Sequence, residues 1–267
     1  MTLKTILPSL AFLIIGMLFF IITPPVYSMF TMPPLIGRVV FAGIAILLFY
    51  YLSRAFVRFE NLSLAAVRLV PNRDTWRRLV VGLLMGVLIA GAMLMALFTL
   101  TDWDVERVEV QTLWPFLLAS LVFVPMAFME ELLFRGYPFF RLTQIIHVRW
   151  VILLTAILFA FYHYNSEQTV SSILLGPGIW GVTFGVAAYV SKSVAVPLGI
   201  HISANVLQAL FGMKHYFNPM WTMTQSNDPL KVGMNAEYLG LTMQLILLCG
   251  SLLVLEWVIK CRKSNQT

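Results

Sequence analysis

The chain has 267 residues, of which 60% are hydrophobic and only 11% charged. Soluble domains carry about 25% charged residues, so the composition excludes an ordinary soluble fold, a disordered chain, a disulfide-stapled domain and a coiled coil. The net charge of +6 would suit nucleic acid, but in a membrane chain the placement of Lys and Arg says more than their sum, and no nucleic-acid partner is expected.

Crossing about 30 Å of hydrocarbon takes an apolar helix of roughly 18 residues or more. Runs near that length fall at roughly 6–29, 36–53, 79–100, 112–134, 150–165, 170–190, 194–211 and 238–260. Val151–Phe161 is apolar on every face, unlike the alternating segments of a membrane β-barrel. The expected fold is an all-α polytopic membrane protein of about eight transmembrane helices, with a polar intramembrane active-site cavity. One domain is expected over 1–267, with a motif core at about 110–212. Lys4 followed by an apolar stretch, with Val26-Tyr27-Ser28 behind it, also fits a cleaved signal; the stretch is long for one and is read as a span.

With the N terminus inside, the inner side collects Lys4, Arg54, Arg58, Arg68, Arg73, Arg77, Arg78, Arg135, Arg141, Arg149, Lys192, Lys260, Arg262 and Lys263. The outer side keeps Arg38, Arg107, Lys214 and Lys231 beside Asp102, Asp104, Glu106 and Glu109. This asymmetry favours both termini on the cytoplasmic side of the membrane. The loop from about 54 to 78 mixes arginines with Leu62, Leu64, Val67, Leu69 and Val70, a pattern that fits either a solvated topology-setting loop or contact with an anionic inner leaflet. Residues 212–237, with Asn218-Pro219 and Asp228-Pro229, read as an irregular outer loop. Cys249 and Cys261 lie twelve residues apart on one helix, about 18 Å along its axis, and cannot bridge each other.

Ionisable residues at membrane depth are costly and mark function. Glu130, Glu131 and Arg135 sit in the fourth run between Pro125 and Pro138. Glu131 and Arg135 share a helical face in the acid-before-base order that favours pairing. Glu130 is rotated about 100° away and is left free to face a cavity and act as a general base on water. The fifth run ends in Phe159-Ala-Phe-Tyr-His163 and the seventh contains His201-Ile-Ser-Ala-Asn205. Each pair is spaced one turn apart, and rise per residue lets Glu130, His163, His201 and Asn205 share a depth. A carboxylate, two imidazoles and an amide there supply water activation, proton delivery and oxyanion donors. Glu and two His could alternatively bind a metal and generate a bound hydroxide. Tyr162 and Tyr164 flank His163, and Gly178, Gly181 and Gly185 read as close helix packing. His147 and His215 match no motif and read as surface residues.

Together these elements resemble the CPBP (CAAX protease and bacteriocin-processing, Abi) family of intramembrane glutamic endopeptidases. The carriers are Glu130-Glu131-Leu-Leu-Phe-Arg135, Phe159-Ala-Phe-Tyr-His163 and His201-Ile-Ser-Ala-Asn205, in order. The resemblance covers about 110–205. It implies peptide-bond hydrolysis in a cavity open to the cytoplasmic side, with Glu130 activating water helped by His163, and His201 and Asn205 stabilising the oxyanion. Glu131, Arg135 and Phe159 would support that arrangement. The substrate would be a peptide or membrane-protein segment. No cofactor is expected, with zinc as the less favoured alternative. The rival reading is a non-proteolytic membrane scaffold, immunity or transport protein that uses the same cavity for binding.

Overall fold

The computed structural model describes residues 3–27, 32–109, 111–164, 168–214, 217–226 and 233–264; Ser28, His215, Asp228 and Lys231 lie outside them. The apolar runs become helices α1 (Leu3–Tyr27), α2 (Pro34–Phe59) and α3 (Thr75–Leu100). The fourth run is broken into α4 (Leu113–Ser120), α5 (Phe123–Arg135) and α6 (Tyr137–Leu142). Then come α7 (Val148–Tyr162), the short α8 (Val170–Ile173), a π turn over Leu174–Gly178, α9 (Ile179–Ser191), α10 (Ala195–Leu210) and α11 (Ala236–Ser264). Among the described residues, counting α4–α6 and α8–α9 each as one segment, eight helical segments stand where eight were expected, and the protein is a polytopic all-α membrane protein. Six are long and apolar enough to cross a bilayer. The two shorter ones, α7 and α10, are the segments that carry the histidine motifs.

Local chemistry explains the boundaries. Pro34 opens α2, where its missing N–H would have had no helical partner, and Asn61 turns the chain out with φ 55°. Gly136 separates α5 from α6: a Cβ there would lie 2.2 Å from the Leu132 carbonyl oxygen, so only glycine lets the chain bend this tightly against the preceding turn. Pro138 then opens α6. Lys192, in the left-handed region at φ 53°, ends α9. His147 is the N-cap of α7 and accepts from the Arg149 N–H.

The tightest helix pair is α3 with α10, which run in the same direction. A Cβ at Gly199 would meet Leu79 O at 2.5 Å and Leu83 N at 2.6 Å, and one at Gly82 would meet Val196 O at 2.2 Å. Small residues thus bring the two backbones together and fix the depth of His201. One apolar core gathers Phe12, Phe49, Phe134, Tyr137, Phe159 and Phe184, among others. On the arginine-bearing side Glu60 accepts from Tyr137 (2.5 Å) and Arg141 (2.8 Å), tying the end of α2 to α6. Val67 is fully buried, with Leu62, Leu64 and Leu69 packed on the core, so the basic loop turns these apolar side chains into the protein; Val70 stays exposed. Arg149 pairs with Glu256, joining the start of α7 to α11. Cys249 and Cys261 are free and exposed.

The opposite side holds a departure from expectation. Trp103–Arg107 (β1) and Trp221–Gln225 (β2) pair as antiparallel strands, Val105 facing Met223. Residues 212–237 had read as an irregular loop because β2 is only five residues long and its partner is remote in sequence. Pairing satisfies backbone groups beyond the ends of α3 and α10, and Trp, Thr and Val suit the pleated geometry.

Candidate active site

Three helices bring the motifs together. Glu130 and Glu131 come from α5, His163 caps the C-terminal end of α7, and His201 lies in the middle of α10. Glu130 Oε2 stands 3.6 Å from His201 Nε2 and 3.9 Å from His163 Nε2. Both separations exceed a direct hydrogen bond and suit contact through one water molecule. The Tyr162 hydroxyl donates to Glu130 Oε1 at 3.3 Å. Glu130, Glu131, Arg135 and His201 are buried, whereas the His163 side chain is 32% exposed.

Glu131 and Arg135 pair as their spacing suggested, with Arg135 Nη1 3.3 Å from Glu131 Oε1. Arg135 also donates through Nη2 to the Gly181 carbonyl at 2.9 Å, and its guanidinium lies 4.5 Å from the Phe159 ring centroid. A buried pair needs such additional partners to offset desolvation. Gly181 supplies close approach as well as its carbonyl, since a Cβ there would lie 3.0 Å from Ala156 Cα.

The second carboxylate also reaches a histidine. His201 Nδ1 donates to Glu131 Oε1 at 3.0 Å, because an ionised carboxylate only accepts. His163 Nδ1 donates to the Phe159 carbonyl at 2.9 Å. Both imidazoles are therefore held by Nδ1, leaving both Nε2 atoms turned to Glu130. Phe159 packs on His163 with centroids 4.5 Å apart, and Phe184 stacks on His201 at 4.7 Å. Asn205 lies one turn beyond His201, half-buried, and its side chain makes no hydrogen bond to a described residue. Among the described residues, no group of three or more His, Cys, Asp or Glu is arranged to hold a metal ion.

Three contributors escape sequence reasoning. Phe184 and the Gly181 carbonyl come from α9, whose glycines read as close packing and whose Phe184 belongs to no motif. Lys214, just past α10, looked like an outer-loop charge; burial pushes its ammonium below the usual lysine range, and the nearby Glu130 charge opposes that shift.

No curated protein matches the chain. Residues 111–207 match the profile of the family described as type II CAAX prenyl endopeptidase Rce1-like. The matched segment begins before α4 and ends within α10, so it contains all three motifs. The chain is thus a multi-pass integral membrane protein whose motif-bearing segment, residues 111–207, is similar to the type II CAAX prenyl endopeptidase Rce1-like family, a match consistent with a protein of the CPBP family.

Proposed function

We propose that the protein is an intramembrane endopeptidase in which Glu130 activates the attacking water. The supporting observation is the convergence of Glu130 Oε2 with the Nε2 atoms of His163 and His201. Glu130 takes a proton from water held with His163 Nε2, and the water oxygen forms a bond to the scissile carbonyl carbon. The resulting oxyanion accepts from His201 Nε2–H, with the imidazole charged and its Nδ1–H held by Glu131, and from the Asn205 amide. The carbon–nitrogen bond then breaks as Glu130 passes its proton to the departing amine.

Glu131, Arg135 and Phe159 are positioning residues. Arg135 pairs with Glu131 and holds its position, Glu131 orients His201, and Phe159 supplies both a ring against Arg135 and the carbonyl that fixes His163. The scheme is glutamate-type and routes no step through a metal. The substrate is a peptide or membrane-protein segment, which the family match supports at the level of class. The whole chain acts as one unit around the motif core at about 110–212. We place both termini and the arginine-bearing loops on the cytoplasmic side of a bacterial membrane, from the charge asymmetry.

The test is mass spectrometry of new peptide termini in membrane and secreted fractions of cells with matched levels of wild type or Glu130→Gln. Termini that vanish in the variant, and reappear when purified wild type is added to the substrate, support proteolysis. Identical termini with normal insertion and deep coverage would leave the site as a binding cavity.

A further inference from the structure

A recess of about 250 Å³ lies between α3, α9, α10 and the first turns of α11, lined by Met93, Leu94, Trp180, Gln208, Gly240 and Gln244 among others. None of the groups assigned to the reaction lines it. Leu239, Gly240, Met243 and Gln244 form one stripe of α11 turned into this space. Gly82 and Gly199 let two backbones touch, but a Cβ at Gly240 would have no atom within 4 Å. Here the missing side chain leaves room instead of drawing a helix closer.

Two side-chain amides serve the recess. Gln208 and Gln244 are half-buried. Gln244 Oε1 is enclosed and accepts no hydrogen bond from a described residue, and the Gln208 amide makes none to a described residue. A buried oxygen without a donor is rare in folded proteins, and lipid cannot supply one. A primary amide presents both an acceptor and donors, which complements a peptide group and not an acyl chain. The rest of the wall is methionine, leucine and the Trp180 ring.

The recess continues the wall that carries the oxyanion donors. Seven residues turn an α-helix to within about 20° of two full turns and advance it by about 10 Å, so Gln208 stands on the His201 face of α10, with Asn205 between them. On α9, Trp180 lies one turn before Phe184, the two rings 5.8 Å apart, and Phe184 stacks on His201. The hydroxyls of Thr183 and Ser251, 3.0 Å apart, hold α11 level with α9, and Gln244 comes seven residues before Ser251. An extended peptide advances about 3.3 Å per residue, so its third residue from a bond cleaved beside His201 is level with Gln208.

We propose that this recess is a substrate subsite: it takes an apolar side chain such as that of Leu, Met or Phe, about two to four residues from the scissile bond, while Gln208 and Gln244 pair with the adjoining peptide group. This rests on the hydrolytic reading under Proposed function. Because Met93 and Met243 adapt their shape, the subsite selects for apolar bulk and not for one residue type.

The test offers purified full-length protein in detergent a library of acetylated, amidated decapeptides of varied sequence, with cut positions read by mass spectrometry. Wild type favours large apolar residues at one of those positions. Gly240→Phe, which fills open space, shifts the preference there towards Ala and Gly by about tenfold or more. Gly91→Phe, on α3 with equally open surroundings but outside the recess, keeps the wild-type preference. Gln244→Leu raises KM about two- to tenfold with kcat little changed. A wild-type preference in Gly240→Phe protein that still cleaves overturns the proposal. If wild type cuts no peptide, binding decides: the same peptides carrying a diazirine leucine label Met93 or Met243 in Glu130→Gln protein, and adding Gly240→Phe abolishes the label. Label in the recess without cleavage refutes the proposed reaction alone. No label, label elsewhere, or recess label only from a diazirine-bearing phospholipid that the peptides do not displace overturns the subsite.

Discussion

Glu131 and His201, 70 residues apart in sequence, meet through a 3.0 Å contact between Oε1 and Nδ1. The same oxygen faces Arg135, so one buried carboxylate serves a structural ion pair and an imidazole at the reacting centre. Its two roles separate by substitution. Glu131→Ala leaves Arg135 buried without its partner and lowers stability by about 3–5 kcal/mol, read as thermal unfolding in detergent. Glu131→Gln keeps the shape but replaces the carboxylate that accepts from His201 Nδ1–H. Its expected signature is a fall in kcat on the order of 10²-fold with KM little changed, measured on a substrate found by the terminus comparison. A matched loss of stability and activity in both variants would reduce Glu131 to a packing residue.

Tyr162 donates to the Glu130 oxygen that does not face the histidines. Tyr162→Phe removes that hydrogen bond while keeping the ring against Phe20, whose centroid is 4.4 Å away. A hydrogen bond of this kind contributes about 0.5–1.5 kcal/mol, so activity falls about three- to tenfold and unfolding moves by no more than the same energy. An unchanged rate would show that Tyr162 does not orient the base.

Much of the site is legible in the sequence because its signals are local. One-turn spacing places Glu131 with Arg135 and His201 with Asn205, and the cost of charge at membrane depth singles out the few ionisable residues. The Glu131–His201 contact is not legible, since nothing in either motif says which helix faces which. It depends on the depth at which α3 and α10 lock, and on Phe184 stacking behind the imidazole. The strands were missed for a similar reason: five residues beside a transmembrane helix carry too little alternation to be recognised without the partner.

That locking is tested by glycines with contrasting surroundings. The three atoms nearest a Cβ at Gly199 would all be backbone atoms of α3, which cannot rotate away. Gly199→Ala is expected to cost about 1–3 kcal/mol or more and to shift His201 enough to lower activity. Gly91→Ala, in α3 with no atom within 4 Å of the added carbon, is expected to be neutral or to stabilise by up to about 1 kcal/mol. Thermal unfolding of the two variants side by side checks the contrast; equal effects would show that α3 and α10 are not in close contact.

Metal dependence is separated from glutamate-type chemistry by chelation. Protein shown by elemental analysis to be free of zinc and other divalent metals is expected to retain its Glu130-dependent cleavage. Loss of cleavage on chelation with recovery on adding zinc would instead assign His163, His201 and Glu130 to a metal-bound hydroxide mechanism.

The pairing of β1 with β2 also constrains the order in which the protein is made. The Thr224 hydroxyl donates to Glu106 Oε1 across 118 residues, so β1 is synthesised after three helices and waits for α4–α10 before its partner exists. The ribbon can close only when the three motif helices are already made. Closing it staples the end of α3 to the segment leading into α11, with Ser226 N bonded to Asp102 O and Met234 N to Leu100 O. The two strands therefore act as a terminal latch on biogenesis, and a nascent chain truncated before Trp221 would leave the edge of β1 open to wrong partners.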